Sequence, residues 1–218
     1  LGTALFTLIV SFRYLTLTGI PQGEYVALIL FATVGMMVMA SGTDLLTIYL
    51  GLEVMAIASY ALVALLRKER ASLEGALKYF ILGAFNSGII LYGIALLYGV
   101  AGTTNLFFLP KLFQPMLHSA PVLSFAAVAL LLAGFAFKIS AFPFHMWVPD
   151  AYEGSPTPIA GFISVASKAA SFAALLRVVF ALFSGFAELQ SLMTLLAALT
   201  MTAGNLLASL VDEPLDQR

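Results

Sequence analysis

Long apolar blocks alternate along this chain with short breaks built from Gly, Pro, Ser and charged residues. A helix rising about 1.5 Å per residue needs about 20 mostly apolar residues to cross roughly 30 Å of hydrocarbon. On that measure the pattern predicts seven spanning helices, at about residues 1–18, 24–41, 43–66, 74–100, 121–147, 156–184 and 188–210. The blocks are too long for membrane β-strands and lack their alternation of period two. The expected fold is therefore all-α, a polytopic transmembrane helical bundle. Gly19-Ile20-Pro21-Gln22-Gly23 reads as a turn, Ser41-Gly42-Thr43-Asp44 as a tight connection ending in a helix-capping residue, and Pro110 to Pro121 as a longer loop. Pro143 falls inside the 121–147 block. It has no N–H to offer the carbonyl of Ile139, so this helix should break there.

Composition agrees with the pattern and excludes a water-soluble fold. Of 218 residues, 61% are hydrophobic and 10% charged, with a mean hydropathy of +1.03, whereas a soluble domain carries about 25% charged residues. The exterior must face a lipid bilayer. With a net charge of -1 and no long basic run, nothing points to nucleic acid. Cysteine is absent, which removes disulfides and thiolate-bound metals, and two distant histidines do not make a metal site. The chain opens on Leu1-Gly2-Thr3-Ala4, inside an apolar stretch, and reads as part of a longer protein rather than as a signal peptide. One transmembrane domain is expected over 1–210, followed by a charged tail over 211–218.

Charge then sets an orientation and marks candidate chemistry. Arg67-Lys68-Glu69-Arg70 puts three cations in four residues beside a helix end, the mark of a cytoplasmic-type face. The loop with Lys111 and His118 then lies on the other side, and Pro149 to Ser155 on the same side as Arg67. Ionisable residues at mid-membrane depth are expensive, about 2.5–3.5 kcal/mol on insertion scales, and normally face a protein interior or cavity. Glu53 lies near the middle of its block, among Gly51, Ala56, Ala58 and Ser59, small residues that allow close helix contact. Lys138 lies five residues before Pro143, and Lys168 about a dozen residues from each end of its helix. Ser164 and Ser171 would share the Lys168 face in a regular α-helix. Burial disfavours the charged form of a lysine, so such a residue can exchange protons. Lys78, near a helix start, could instead extend the basic cluster, and His145 could relay a proton or bond a carbonyl freed by the break. Arg177 is expected to snorkel, Asn86, Ser87 and Asn205 to bond between helices, and Trp147 and Tyr152 to sit in an aromatic belt. Nothing resembles a catalytic triad, phosphate loop or nucleotide fingerprint. Buried titratable groups in series point to proton transfer.

Three segments carry a family resemblance: Gly51-Leu52-Glu53, the stretch Arg67 to Tyr79, and the run from Phe137-Lys138-Ile139-Ser140-Ala141-Phe142-Pro143-Phe144-His145 through Asp150-Ala151-Tyr152-Glu153-Gly154 to Pro158. They resemble the antiporter-like membrane subunits of complex I, the proton-pumping NADH:quinone oxidoreductase. Tyr152-Glu153-Gly154 followed by Ala166-Ser167-Lys168 looks like the subunit N (subunit 2) type, more than the L or M types or the Mrp sodium/proton antiporters. The resemblance implies a first inverted five-helix repeat out of about fourteen helices. It implies Glu53 and Lys138 as a charge pair, Lys168 as the central protonatable lysine, and Lys78 and His145 as auxiliaries. It also implies neighbouring antiporter-like and other complex I membrane subunits as partners. No cofactor is implied on this chain; FMN, iron–sulfur clusters and quinone would lie elsewhere in the complex. The membrane would be a bacterial plasma membrane, or an organelle inner or thylakoid membrane. The expected function is proton translocation through a Glu/Lys relay coupled to distant quinone reduction, with no redox chemistry on the chain itself. A stand-alone cation/proton antiporter and a purely structural anchor are the rival readings.

Overall fold

The computed structural model describes residues 1–183 and 187–211. All but the first residue of the expected tail, 212–218, lies outside them. The helices are α1 (Gly2–Thr18), α2 (Gln22–Ser41), α3 (Leu45–Val63), α4 (Arg70–Ala101), α5 (Leu109–Ser119), α6 (Pro121–Ile139), α7 (Val148–Gly154), α8 (Thr157–Phe162), α9 (Lys168–Phe183) and α10 (Ala187–Val211). Residues Ile163–Ser167 form a π-helical turn that joins α8 to α9 in one continuous span. Among the described residues, five helical spans are long and apolar enough to cross a membrane, while Gly2–Thr18 and Met193–Leu206 are shorter apolar helices. Each of the seven expected apolar blocks thus has its helix. Large apolar side chains such as Ile9, Phe85 and Phe180 cover the outside, a surface suited to a lipid bilayer or to other membrane helices rather than to water.

One expectation changes and another is met. The stretch from Pro110 to Pro121 is not a loop but contains α5, with Pro110 in its first turn and Pro115 inside it. Proline is tolerated in a first turn, where its missing N–H has no partner to lose. Leu109 and Met116 are buried on one face of α5 and Leu112 packs beside them, an i, i+3, i+7 stripe that the prolines masked. The 121–147 block, in turn, stops as α-helix at Ile139 and resumes only at Val148.

Close backbone approach fixes the centre of the bundle. Gly35 on α2 and Gly51 on α3 face each other. A Cβ on Gly51 would sit 2.5 Å from the Met39 nitrogen and 2.8 Å from the Gly35 carbonyl oxygen. Small residues let membrane helices gain dispersion contacts along their backbones, which replaces the hydrophobic drive absent in lipid. The α4–α7 contact uses the same device, with Gly75 against the Asp150 carbonyl and Gly154 against the Ala71 carbonyl. Through it, Pro149 to Ser155 lies beside the start of α4, on the same side as Arg67, which pairs with Glu24 at the start of α2.

The opposite side is clasped by backbone bonds. Leu45 donates to the Thr104 carbonyl at 3.0 Å and Leu106 to the Thr43 carbonyl at 2.9 Å. Asp44 caps α3 by accepting from the Leu46 N–H at 2.9 Å and also accepts from the Thr104 hydroxyl at 2.7 Å. Replacing Asp44 by alanine should cost about 0.5–2 kcal/mol, the range for a lost N-cap. A fall in the thermal midpoint of the detergent-solubilised protein would register it, and an unchanged midpoint would show that the clasp does not depend on the carboxylate.

Candidate functional site

Pro143 leaves the Ile139 carbonyl without its helical donor, and the chain answers at Ser140. That residue adopts a left-handed conformation, φ 60°, and ends α6. The Ser140 N–H bonds the Phe137 carbonyl at 3.1 Å and the Ala141 N–H reaches the Ala136 carbonyl at 2.8 Å, closing the helix end. The Trp147 indole N–H donates to the Phe137 carbonyl at 3.2 Å, and the Phe142 N–H donates to the Thr200 hydroxyl of α10 at 3.1 Å. The Ile139 carbonyl accepts from the Lys168 ammonium at 3.4 Å, and that ammonium also donates to the Ser140 hydroxyl. Irregular backbone at membrane depth must be satisfied by protein or water. Here one donor is the lysine singled out in the sequence.

A second lysine lies just before the break. Lys138 is 3% exposed, and its Nζ has no hydrogen-bond partner among the described residues. It lies 5.8 Å from the centre of the Tyr60 ring and 6.0 Å from that of Phe137. Lys168 Nζ lies 5.4 Å over the Trp147 ring and 6.0 Å over Tyr152. Both ammonium groups therefore rest on aromatic faces, whose quadrupoles attract a cation.

Glu53 sits mid-helix on α3, as expected, and its Oε1 is buried without a hydrogen-bond partner among the described residues. Glu53 and Lys138 do not meet within ion-pair distance: among the described residues the ion pairs are Arg67–Glu24, Lys78–Glu74 and Lys78–Asp150. Lys78 thus bridges its own helix to α7, at 2.9 Å from Glu74 and 2.8 Å from Asp150, with its side chain 43% exposed. His145 stands in the gap between α6 and α7. Its Nδ1 is buried without a hydrogen-bond partner among the described residues, and it lines a cavity of about 250 Å³ with Ser140 and Thr200.

Lys78→Gln should change little by itself. A half-exposed pair contributes about 0–1 kcal/mol, so assembly of the variant should stay within about threefold of wild type. Quantitative immunoblotting of membranes would read this, and a larger loss would show that the α4–α7 contact depends on the charge.

Several smaller expectations are met or corrected by geometry. Asn86 donates to the Gly134 carbonyl at 3.1 Å and Ser87 bonds the Tyr49 hydroxyl at 2.8 Å, both between helices. Arg177 donates to the Ala40 carbonyl at 2.6 Å and so satisfies the carbonyl end of α2. Trp147 is not in an interfacial belt: it is 2% exposed and stacks on Tyr79 with centroids 4.2 Å apart. Tyr152 likewise has its hydroxyl buried, and its ring meets Trp147 edge-on at 6.3 Å. Ser164 does not join Lys168 either. The π-turn breaks the α-helical register between them, Ser164 bonds the Gly161 carbonyl and Ser171 the Ser167 carbonyl. The hydroxyl at Lys168 comes instead from Ser140, across the bundle. Sequence offered no signal for Ser140, whereas a tryptophan four residues past a helix-breaking proline could have been read as a donor for a freed carbonyl.

Comparison with known proteins places the fold in a family. Residues 42–212 match the family described as NADH:quinone oxidoreductase/Mrp antiporter, TM. NADH-quinone oxidoreductase subunit N 2 of Solibacter usitatus is 47% identical over 209 residues, which cover 95% of this chain and 42% of that protein. Respiratory complex I from Thermus thermophilus contains a chain that superposes with a TM-score of 0.70 at 40% identity, over 85% of this chain and 39% of its own length. A chain of the membrane-bound sulfane sulfur reductase, an archaeal respiratory membrane complex, gives a TM-score of 0.74 at 32% identity, over 82% of this chain and 36% of its own. The chain thus spans about two-fifths of the length of the relatives it matches. The match covers most of the chain, and the chain belongs to the NADH:quinone oxidoreductase/Mrp antiporter transmembrane family.

Proposed function

We propose that this chain is part of a subunit N-type proton-translocating subunit of an NADH:quinone oxidoreductase in a bacterial plasma membrane. The observation that carries the reading is a pair of lysines, Lys138 and Lys168, on either side of the α6 break, neither within ion-pair distance of a carboxylate among the described residues. A lysine in that setting can alternate between charged and neutral forms. Lys168 takes and releases the proton. Glu53 and Lys138 set its affinity: when Glu53 screens Lys138 less, the Lys138 charge repels a second positive charge at Lys168. Quinone reduction and its FMN and iron–sulfur cofactors belong to other subunits, and neighbouring antiporter-like subunits are the partners. His145 and Lys78 are auxiliaries, His145 at the cavity beside the break and Lys78 where it pairs with Asp150 of α7.

The test is to neutralise Glu53→Gln and Lys138→Gln together in the full-length subunit within the assembled complex. The relay predicts normal assembly and NADH oxidation with the proton yield per NADH reduced about twofold or more. A structural anchor predicts lost assembly instead, and full pumping would also sink the relay. A second reading, an independent cation/proton antiporter, is favoured by the Mrp branch of the same family. Sodium/proton exchange by the purified full-length subunit alone would support it.

A further inference from the structure

Trp147 makes more contacts with the relay than a packing residue needs. Its ring lies under the Lys168 ammonium, 5.4 Å from centroid to Nζ. Its indole N–H bonds the carbonyl of Phe137, the residue next to Lys138. It stacks on Tyr79 at 4.2 Å with the planes 5° apart, Tyr79 meets Tyr60 edge-on at 4.6 Å, and Tyr60 lies under the Lys138 ammonium at 5.8 Å. A continuous run of ring contacts therefore joins the two lysines, and Trp147 is its member at Lys168.

A cation without an anion in a medium of low dielectric needs oriented dipoles or quadrupoles to hold it. Lys168 has one hydroxyl, one carbonyl and two aromatic rings. Indole is the strongest aromatic partner for a cation. An aromatic face stabilises the ammonium but, unlike a carboxylate, accepts no proton and forms no pair that must later be broken. It therefore holds the charged form without locking it. The N–H has a separate role, fixing the ring against the end of α6 so that the face stays beneath the ammonium.

We propose that Trp147 is a positioning residue of the proton relay, presenting its ring as the cation-binding face for Lys168 while its N–H anchors it to the α6 break. The inference rests on the assignment of Lys168 as proton carrier. Its test uses the full-length subunit in the assembled complex, in proteoliposomes, with Trp147→Leu, Trp147→Met, Trp147→Phe and Lys168→Ala side by side. Assembly is read by co-purification and by NADH oxidation with an artificial acceptor, and pumping by protons moved per NADH. Trp147→Leu and Trp147→Met should lower the proton yield about threefold or more at unchanged assembly. Trp147→Phe, which keeps a ring face but loses the N–H, should restore at least about half of it. A packing role instead lowers assembly and proton yield together; equal losses in the phenylalanine and aliphatic variants, or yields that follow the amount assembled, overturn the inference. Normal pumping in Trp147→Leu beside a defective Lys168→Ala overturns the role of Trp147 alone. Normal pumping in Lys168→Ala removes the proton carrier and the role of Trp147 with it.

Discussion

A valine at Gly51 is expected to prevent the subunit from accumulating in the membrane. The first added carbon would lie 2.5 Å from the Met39 nitrogen and 2.8 Å from the Gly35 carbonyl oxygen, and neither backbone atom can swing away as a side chain could. Helices α2 and α3 would have to separate. Forcing extra carbon into a packed interior costs about 1–3 kcal/mol and occasionally more, and a backbone obstacle places this site at the upper end. Separation would also displace Glu53, two residues further on. Immunodetection of the full-length variant in membranes should show a loss of about tenfold or more. Wild-type abundance would mean that the two helices do not approach as closely as described.

Lysine 168 replaced by alanine has the second large effect, of another kind. The Ile139 carbonyl and the Ser140 hydroxyl both lose their cationic donor. A buried acceptor left unsatisfied costs about 1–3 kcal/mol, less if water enters the cavity beside His145. The complex should therefore assemble at somewhat reduced yield. Proton transfer is another matter, since alanine has no titratable group and the other lysine, Lys138, contacts the Tyr60 and Phe137 rings rather than the break carbonyl. Pumping should fall much further than assembly, and Lys168→Arg should not restore it, because a guanidinium keeps its proton at any physiological pH.

How far the sequence led differs between fold and site. Helix existence was legible because bilayer thickness imposes one length on every apolar block, and the seven expected blocks from Gly2–Thr18 to Ala187–Val211 each became helical. The break at Pro143 was legible for a covalent reason, the missing N–H. What escaped was set by neighbours. Leu109, Leu112 and Met116 form a helical stripe whose prolines resemble loop punctuation. Trp147 carries an amphipathic side chain that fits an interface as well as a core, and only its stacking on Tyr79 and its bond to Phe137 place it inside. Periodicity counted back from Lys168 selected Ser164, but the intervening π-turn shifts that count. Such turns often occur at functional positions, and they have no reliable pattern in a single sequence.

The same distinction holds for charge. Mid-membrane position alone picked out Glu53, Lys138 and Lys168, because lipid makes each of them costly unless protein surrounds it. Partner choice was not readable in that way. Lys78, near a helix start, pairs with Asp150 from α7 as well as with Glu74 one turn away. Glu53 and Lys138 are not within ion-pair distance among the described residues, a separation that sequence spacing on different helices cannot express.

The central claim is that the proton moves on Lys168. Its most direct test is the number of protons translocated per NADH oxidised, measured in proteoliposomes with the assembled complex carrying wild-type or Lys168→Ala full-length subunit at matched electron flux. The relay predicts a ratio clearly below wild type in the variant while electrons still reach quinone. An unchanged ratio at the same flux would contradict it and leave Lys168 as a brace for the broken helix.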